Sequence, residues 1–132
     1  MHTVLCNGCF DLLHAGHVEH LEEARKLGDK LIVALTLDAN VNKGPNRPIH
    51  TWADRAYLLT RLKCVDEVVA SSSAVSAIRA LKPTYFVKGI DYEGGDKFSE
   101  DIQAVCEEVG TLIRYTKSPK QSSTDIIRKA MA

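Results

Sequence analysis

Gly8-Cys9-Phe10-Asp11-Leu12-Leu13-His14-Ala15-Gly16-His17 stands between a short apolar run, Thr3–Cys6, and an amphipathic pattern that continues to Leu27. A strand that ends at a glycine turn and restarts as a helix gathers unpaired backbone N–H groups and the positive end of a helix dipole at one point. Such a point takes an anion. His14 and His17 are three residues apart, and Gly16 between them removes a side chain. Two imidazoles can therefore lie against a polyphosphate that the backbone has positioned. The stretch reads as a nucleotide site on a strand-to-helix turn.

Outward from this turn, short apolar runs alternate with longer helical patterns, the signature of a parallel α/β sheet with crossover helices. Strands are expected at Thr3–Cys6, Lys30–Thr36, Glu67–Ala70, Tyr85–Val87 and Thr111–Tyr115, and helices at His17–Leu27, Trp52–Lys63, Ala74–Leu81, Ser99–Val109 and Ser123–Ala130. In the first helix Val18, Leu21, Ala24 and Leu27 recur at helical spacing and face the sheet, with Gly28 as its stop. Thr51 is the expected cap of the second helix, and Pro83 marks the break after the third. The fold class that follows is α/β, a Rossmann-like doubly wound five-stranded parallel sheet with helices on both faces. Its ligand belongs at the carboxyl ends of the strands, where the strand order reverses. Residues 8–17, 38–48, 89–96 and 117–124 each follow a strand and converge there.

Composition sets bounds. The 132 residues, 45% hydrophobic, suit one domain over 1–132 with a single core. Lys plus Arg and Asp plus Glu number 17 each, so no global field draws the chain to nucleic acid or to an anionic membrane. The start of the chain lacks a signal-peptide pattern, and the aliphatic stretch Leu31–Leu37 is too short to span a bilayer, which makes a soluble cytoplasmic protein the expectation. Cys6-Asn7-Gly8-Cys9 has the spacing of a redox pair or half a zinc site, but Cys64 and Cys106 stand alone and supply no second pair. All four read as ordinary thiols. His20 continues an i, i+3, i+6 series after His14 and His17, rotates away from their face, and is expected on the surface.

The run Gly8-x-Phe10-Asp11-x-x-His14-x-Gly16-His17 resembles the signature of the cytidylyltransferase-like nucleotidyltransferases, which join a nucleotide to a small phosphorylated or alcohol-bearing acceptor. Further matches follow in the family's order: Lys43, Arg47-Pro48 before a helix carrying Arg55, Val87-Lys88-Gly89-Ile90-Asp91-Tyr92, and Ser122-Ser123-Thr124. The branch that makes ADP-heptose is most similar, through Lys88-Gly89-x-Asp91-Tyr92 and Ser122-Ser123-Thr124-x-Ile126-Ile127. The glycerol-3-phosphate cytidylyltransferases follow closely. Where the cytidylyl branch carries an arginine before its last helix, this chain has Lys117-Ser118-Pro119-Lys120, and lysine lacks the bidentate fork.

The resemblance implies roles. His14, His17 and Lys43 would be catalytic, because nucleotidyl transfer brings two anions together and is governed by position and electrostatics. Gly8, Cys9, Phe10, Gly16, Gly89 and Asp91 would line the nucleotide together with the two histidines, and Lys117, Ser122, Ser123 and Thr124 would hold its phosphates. Asp11, Lys43, Arg55 and Lys88 would serve the acceptor, with Arg55 on a phosphate or paired with Asp11. Arg47 is either part of that loop's site or simply solvated. Magnesium would arrive on the triphosphate rather than on protein side chains, and a homodimer is the family's assembly. The expected partners are a nucleoside triphosphate, ATP before CTP, and a small phosphorylated metabolite such as a sugar 1-phosphate. Glycerol 3-phosphate with CTP, FAD synthesis, and a non-catalytic nucleotide sensor are the alternatives. The intact histidine pair opposes the last of these.

Overall fold

A computed structural model describes residues 1–41, 44–89 and 100–117. Five strands, β1 (Thr3–Gly8), β2 (Lys30–Thr36), β3 (Glu67–Ser71), β4 (Tyr85–Gly89) and β5 (Leu112–Thr116), form one parallel sheet in the order β3-β2-β1-β4-β5. The described helices are α1 (Ala15–Arg25), α2 (Trp52–Thr60), α3 (Ala74–Leu81) and α4 (Glu100–Val109), with a 3-10 turn at Asp38–Asn40. The doubly wound sheet is the one the sequence predicts. The expected helix over 123–130 lies outside the described residues.

Strand side chains alternate between two helical layers. Val4, Cys6, Leu31, Val33, Leu35 and Val87 meet Leu21 and Ala24 of α1 and Ala56 and Leu59 of α2. Leu5, Ile32, Ala34 and Phe86 meet Ala77 and Ile78 of α3 and Ile102, Val105 and Cys106 of α4. Because both faces are covered, Leu31 to Leu35 are all buried, and β2 reads as an unbroken apolar run.

Capping follows the sequence at α2, where Thr51 Oγ1 accepts from Asp54 N at 3.2 Å; α3 is capped by Ser73, which the sequence reading did not single out and whose Oγ accepts from Ser76 N. It departs at α1. This helix starts at Ala15 and ends at Arg25, so Leu27 falls outside it and is 39% exposed rather than packed on the sheet. Gly28 is no left-handed stop either. A Cβ there would meet His2 O at 2.6 Å, so the glycine lets the start of β1 pass close by.

The strand pairing is uneven in a way that locates the crevice. β1 pairs with β2 through Gly8↔Leu35, and β4 pairs with β5 through Gly89↔Thr116. Between β1 and β4 the register covers only Val4↔Tyr85 and Leu5↔Phe86. At the closed end Thr3 and Thr84 exchange backbone-to-hydroxyl bonds at 3.2 Å. Beyond Leu5 and Phe86 the two strands part, at the place where the strand order reverses.

Candidate functional site

The N-terminus of α1 is built from its own histidines. His14 is the N-cap, and its Nδ1 accepts from Gly16 N at 3.1 Å; His17 Nδ1 accepts from His14 N at 3.2 Å. This is a capping box in which two imidazoles replace the usual hydroxyl and carboxylate. A ring nitrogen that accepts from a backbone N–H carries no proton, so in each neutral ring the proton sits on Nε2. The rings stack with centroids 3.8 Å apart, and Phe10 meets the His17 ring edge-on at 5.3 Å. Two N–H donors are thus fixed side by side at a helix N-terminus.

The loop that carries them turns differently from the sequence expectation. Gly8 is still in β1, and the left-handed residues are Phe10 (φ 47°) and Leu12 (φ 56°). Each costs about 1–2 kcal/mol and persists because surrounding contacts enforce it. Gly8 answers another need: a Cβ there would lie 2.9 Å from the Phe10 ring, which folds back over the strand end.

Asp11 is one of those contacts. It is wholly buried, and Oδ2 accepts from Arg47 Nε at 2.9 Å and Ile49 N at 2.8 Å, while Oδ1 accepts from His50 N at 3.0 Å. Burial pushes its carboxyl up, but the His50 and Ile49 amides and Arg47 together outweigh this and hold it below the ordinary carboxylate value. Both oxygens are engaged by the fold, so Asp11 does not fit as a magnesium ligand. Among the described residues no three His, Cys, Asp or Glu side chains converge on a metal position.

Arg55 reaches Asp38, not Asp11. Its side chain is fully buried, with Nη2 donating to Asp38 Oδ1 at 2.6 Å, Nη1 to Cys9 O at 2.8 Å and Nε to His50 O at 3.1 Å. It ties the 8–14 loop to the segment after β2 instead of presenting a guanidinium to the crevice. Arg47 is the ion-pair partner of Asp11 and is turned inward, with its side chain 7% exposed. The anchors Asp38 and His50 carry no motif of their own and were not legible in the sequence.

Across the crevice, Lys88 and Gly89 end β4. Lys88 is half-buried, with Nζ 5.4 Å from the Phe86 centroid, and burial pulls its ammonium below the usual lysine value against the opposing pull of Cys6. An anion in the crevice offsets that desolvation. His20 is not on the surface. Its Nδ1 lies 2.6 Å from Thr116 Oγ1 at the end of β5, and burial lowers its pKa. Lys117 is exposed, and its backbone N donates to Glu23. Cys6 is buried and its thiol is pushed up to about 12, by burial above all, whereas Cys9 lies beside Arg55. The structure therefore gathers Gly8, Cys9, Phe10, Asp11, His14, Gly16 and His17 on one side of the crevice and Lys88 and Gly89 on the other. Lys43, Asp91, Ser122, Ser123 and Thr124 lie outside the described residues.

Known proteins are similar to this chain in sequence and in fold. The bifunctional protein HldE of Aliarcobacter butzleri is 50% identical over 103 residues, 75% of this chain and 22% of that protein. HldE of Campylobacter fetus subsp. fetus is 42% identical over 134 residues, 96% of this chain and 27% of that protein. The chain thus spans about a quarter of the length of these relatives. Among solved structures, a lipopolysaccharide core biosynthesis protein from Thermoplasma volcanium superposes with a TM-score of 0.74 at 29% identity, covering 92% of this chain and 99% of that one. Thermotoga maritima TmcAL, bound with alpha-thio ATP, shares the fold at a TM-score of 0.64 and 18% identity, over 99% of this chain and 50% of that one. Residues 5–129 match the Cytidylyltransferase-like family, and the chain belongs to it.

Proposed function

We propose that this chain catalyses nucleotidyl transfer, with ATP as the donor and a sugar 1-phosphate, such as a heptose phosphate, as the acceptor. The single observation that carries the reading is the reciprocal imidazole cap, which fixes two Nε2–H donors at a helix N-terminus beside an opened strand seam. An acceptor phosphate oxygen, already ionised at neutral pH, attacks the α-phosphorus. One P–O bond forms to it, the bond from the α-phosphorus to the α–β bridging oxygen breaks, and pyrophosphate leaves with the electron pair. His14 and His17 donate to the oxygens on which charge gathers, and Lys88 draws the anions in from the far wall. Lys43 is proposed as a cation for the phosphates, and Ser122, Ser123 and Thr124 as phosphate ligands. Magnesium enters as part of the metal–triphosphate substrate.

ATP is favoured over CTP by the residue pattern around Lys88-Gly89 and by the missing arginine before the chain's last segment. A homodimer is the proposed assembly, with exposed Tyr57 and Leu58 on α2 supplying apolar surface. The deciding experiment measures pyrophosphate release with each triphosphate, magnesium and a panel of sugar and polyol phosphates. Release with ATP and an aldose 1-phosphate is the expected result. Release only with CTP and glycerol 3-phosphate overturns the substrate assignment, and none with any pair overturns the activity.

A further inference from the structure

Leu21 and Ala24 pack α1 on β1 and β2, yet polar bonds from the same helix fasten it to the end of β5. His20 Nδ1 lies 2.6 Å from Thr116 Oγ1, and one turn on, Glu23 accepts from the backbone N of Lys117. Thr116 is 1% exposed, and a hydroxyl buried so deeply needs a partner. The imidazole supplies it. The ring itself is half-buried, and burial lowers its pKa, with the Glu23 carboxylate opposing and the Lys88 ammonium of β4 adding to the shift. At neutral pH the bond thus joins an uncharged imidazole to a hydroxyl.

These bonds cross the seam that the strands leave open. β1 and β4 part after Leu5 and Phe86, so no ladder pairing joins residues 6–8 to residues 87–89 and sets the spacing of the strand ends. Thr116 is in register with Gly89, at that open end. His20 stands three residues after His17, about 4.5 Å along the helix axis, so a shift of β5 against α1 reaches the imidazole cap almost undiminished. Apolar contacts tolerate sliding, whereas a hydrogen bond stretched by about 1 Å is lost. Opening of the seam therefore strains this bond first. We propose that His20, bonded to Thr116, is a positioning residue that sets the width of the crevice between the histidine pair and the end of β4. It acts through His14 and His17 rather than on the substrate. This rests on the nucleotidyl-transfer reading above.

The test compares wild type, His20→Leu, Thr116→Val, Thr116→Ser and the double variant of the first two, using magnesium–ATP and heptose 1-phosphate, with circular dichroism to count folded protein. Each single variant that lacks the bond is expected to lower kcat about tenfold to a hundredfold, because donors displaced by about 1 Å miss the charge that gathers in the transition state. The KM values for ATP and acceptor stay within about threefold, since the substrates keep their own contacts. Thr116→Ser, which keeps the hydroxyl, recovers most of kcat. The double variant is no slower than the slower single one, because both changes remove the same bond. Unchanged kcat per folded molecule, a loss confined to KM, or losses that multiply in the double variant overturn the proposal. Where Thr116→Val fails to fold, His20→Leu removes the other end of the bond and decides alone. If wild type releases no pyrophosphate with any pair, the transfer reading fails separately. Amide exchange then decides on His20: faster exchange at Lys88 and Gly89 in His20→Leu, with Leu31–Leu35 unchanged, supports the spacing role, and unchanged exchange at Lys88 and Gly89 overturns it.

Discussion

His14 and His17 each give Nδ1 to the helix and carry a proton on Nε2, so in the proposed reaction each side chain would serve the fold and the chemistry through different atoms. Alanine at His14 therefore confounds the two, since losing an N-cap costs about 1 kcal/mol. Asparagine separates them, because it caps well but has no Nε2–H. His14→Asn is expected to unfold within a few degrees of wild type while turnover falls about a hundredfold or more. Retained turnover in a pyrophosphate assay removes the residue from the chemistry. His20 supports a second prediction at this scale. Its folded pKa lies below 6.5, so the unfolded chain binds the proton more readily. Its contribution to stability is complete above about pH 6.5 and declines as pH falls through the lower folded value. In His20→Asn this part of the pH dependence should vanish, as read from thermal midpoints between pH 5 and 7.5. An unchanged pH slope contradicts the half-buried, neutral imidazole beside Thr116.

The loop between β1 and α1 is held from outside by two cross-ties, Asp11 to residues 47–50 and Arg55 to Cys9, His50 and Asp38. Removing one partner of a buried ion pair strands the other, at about 3–5 kcal/mol. Asp11→Asn should thus lower unfolding stability by about 3 kcal/mol in denaturant titrations, and a change under 1 kcal/mol would show that Arg47 finds another partner. Because the folded Asp11 pKa lies below 3.8, this stabilisation is complete above that pH and is lost as pH falls through the still lower folded value. Sequence periodicity places most elements well, including β2 at Lys30–Thr36 and α3 at Ala74–Leu81, because burial on two faces requires an unbroken apolar run in a strand and burial on one face a helical apolar period. The loop between β1 and α1 was legible as a candidate site but not as a conformation. Its turns fall on Phe10 and Leu12, non-glycine residues whose left-handed backbone only tertiary contacts enforce. For the same reason Arg55 reads in sequence as a phosphate ligand or a partner of Asp11 and proves to be an internal tie: which group an arginine meets is decided by residues such as Asp38 and His50, which carry no local signal.

Over the whole molecule, β3-β2-β1 and β4-β5 are two well-paired plates joined through Val4↔Tyr85 and Leu5↔Phe86. Amide exchange should report this division. Leu31–Leu35 should be among the slowest amides, whereas Asn7, Gly8, Lys88 and Gly89 should exchange faster than their neighbours on either plate and slow when a triphosphate is added. Uniform protection across β1 and β4 would argue against the division. The short join also gives the molecule a preferred direction of distortion. Each plate is stiff along its own hydrogen-bonded ladders, so thermal motion concentrates in a hinge whose axis passes near Leu5 and Phe86. Displacement then grows with distance from that axis and is largest at the open end of the β1–β4 seam, as the jaws of tweezers move most at their tips.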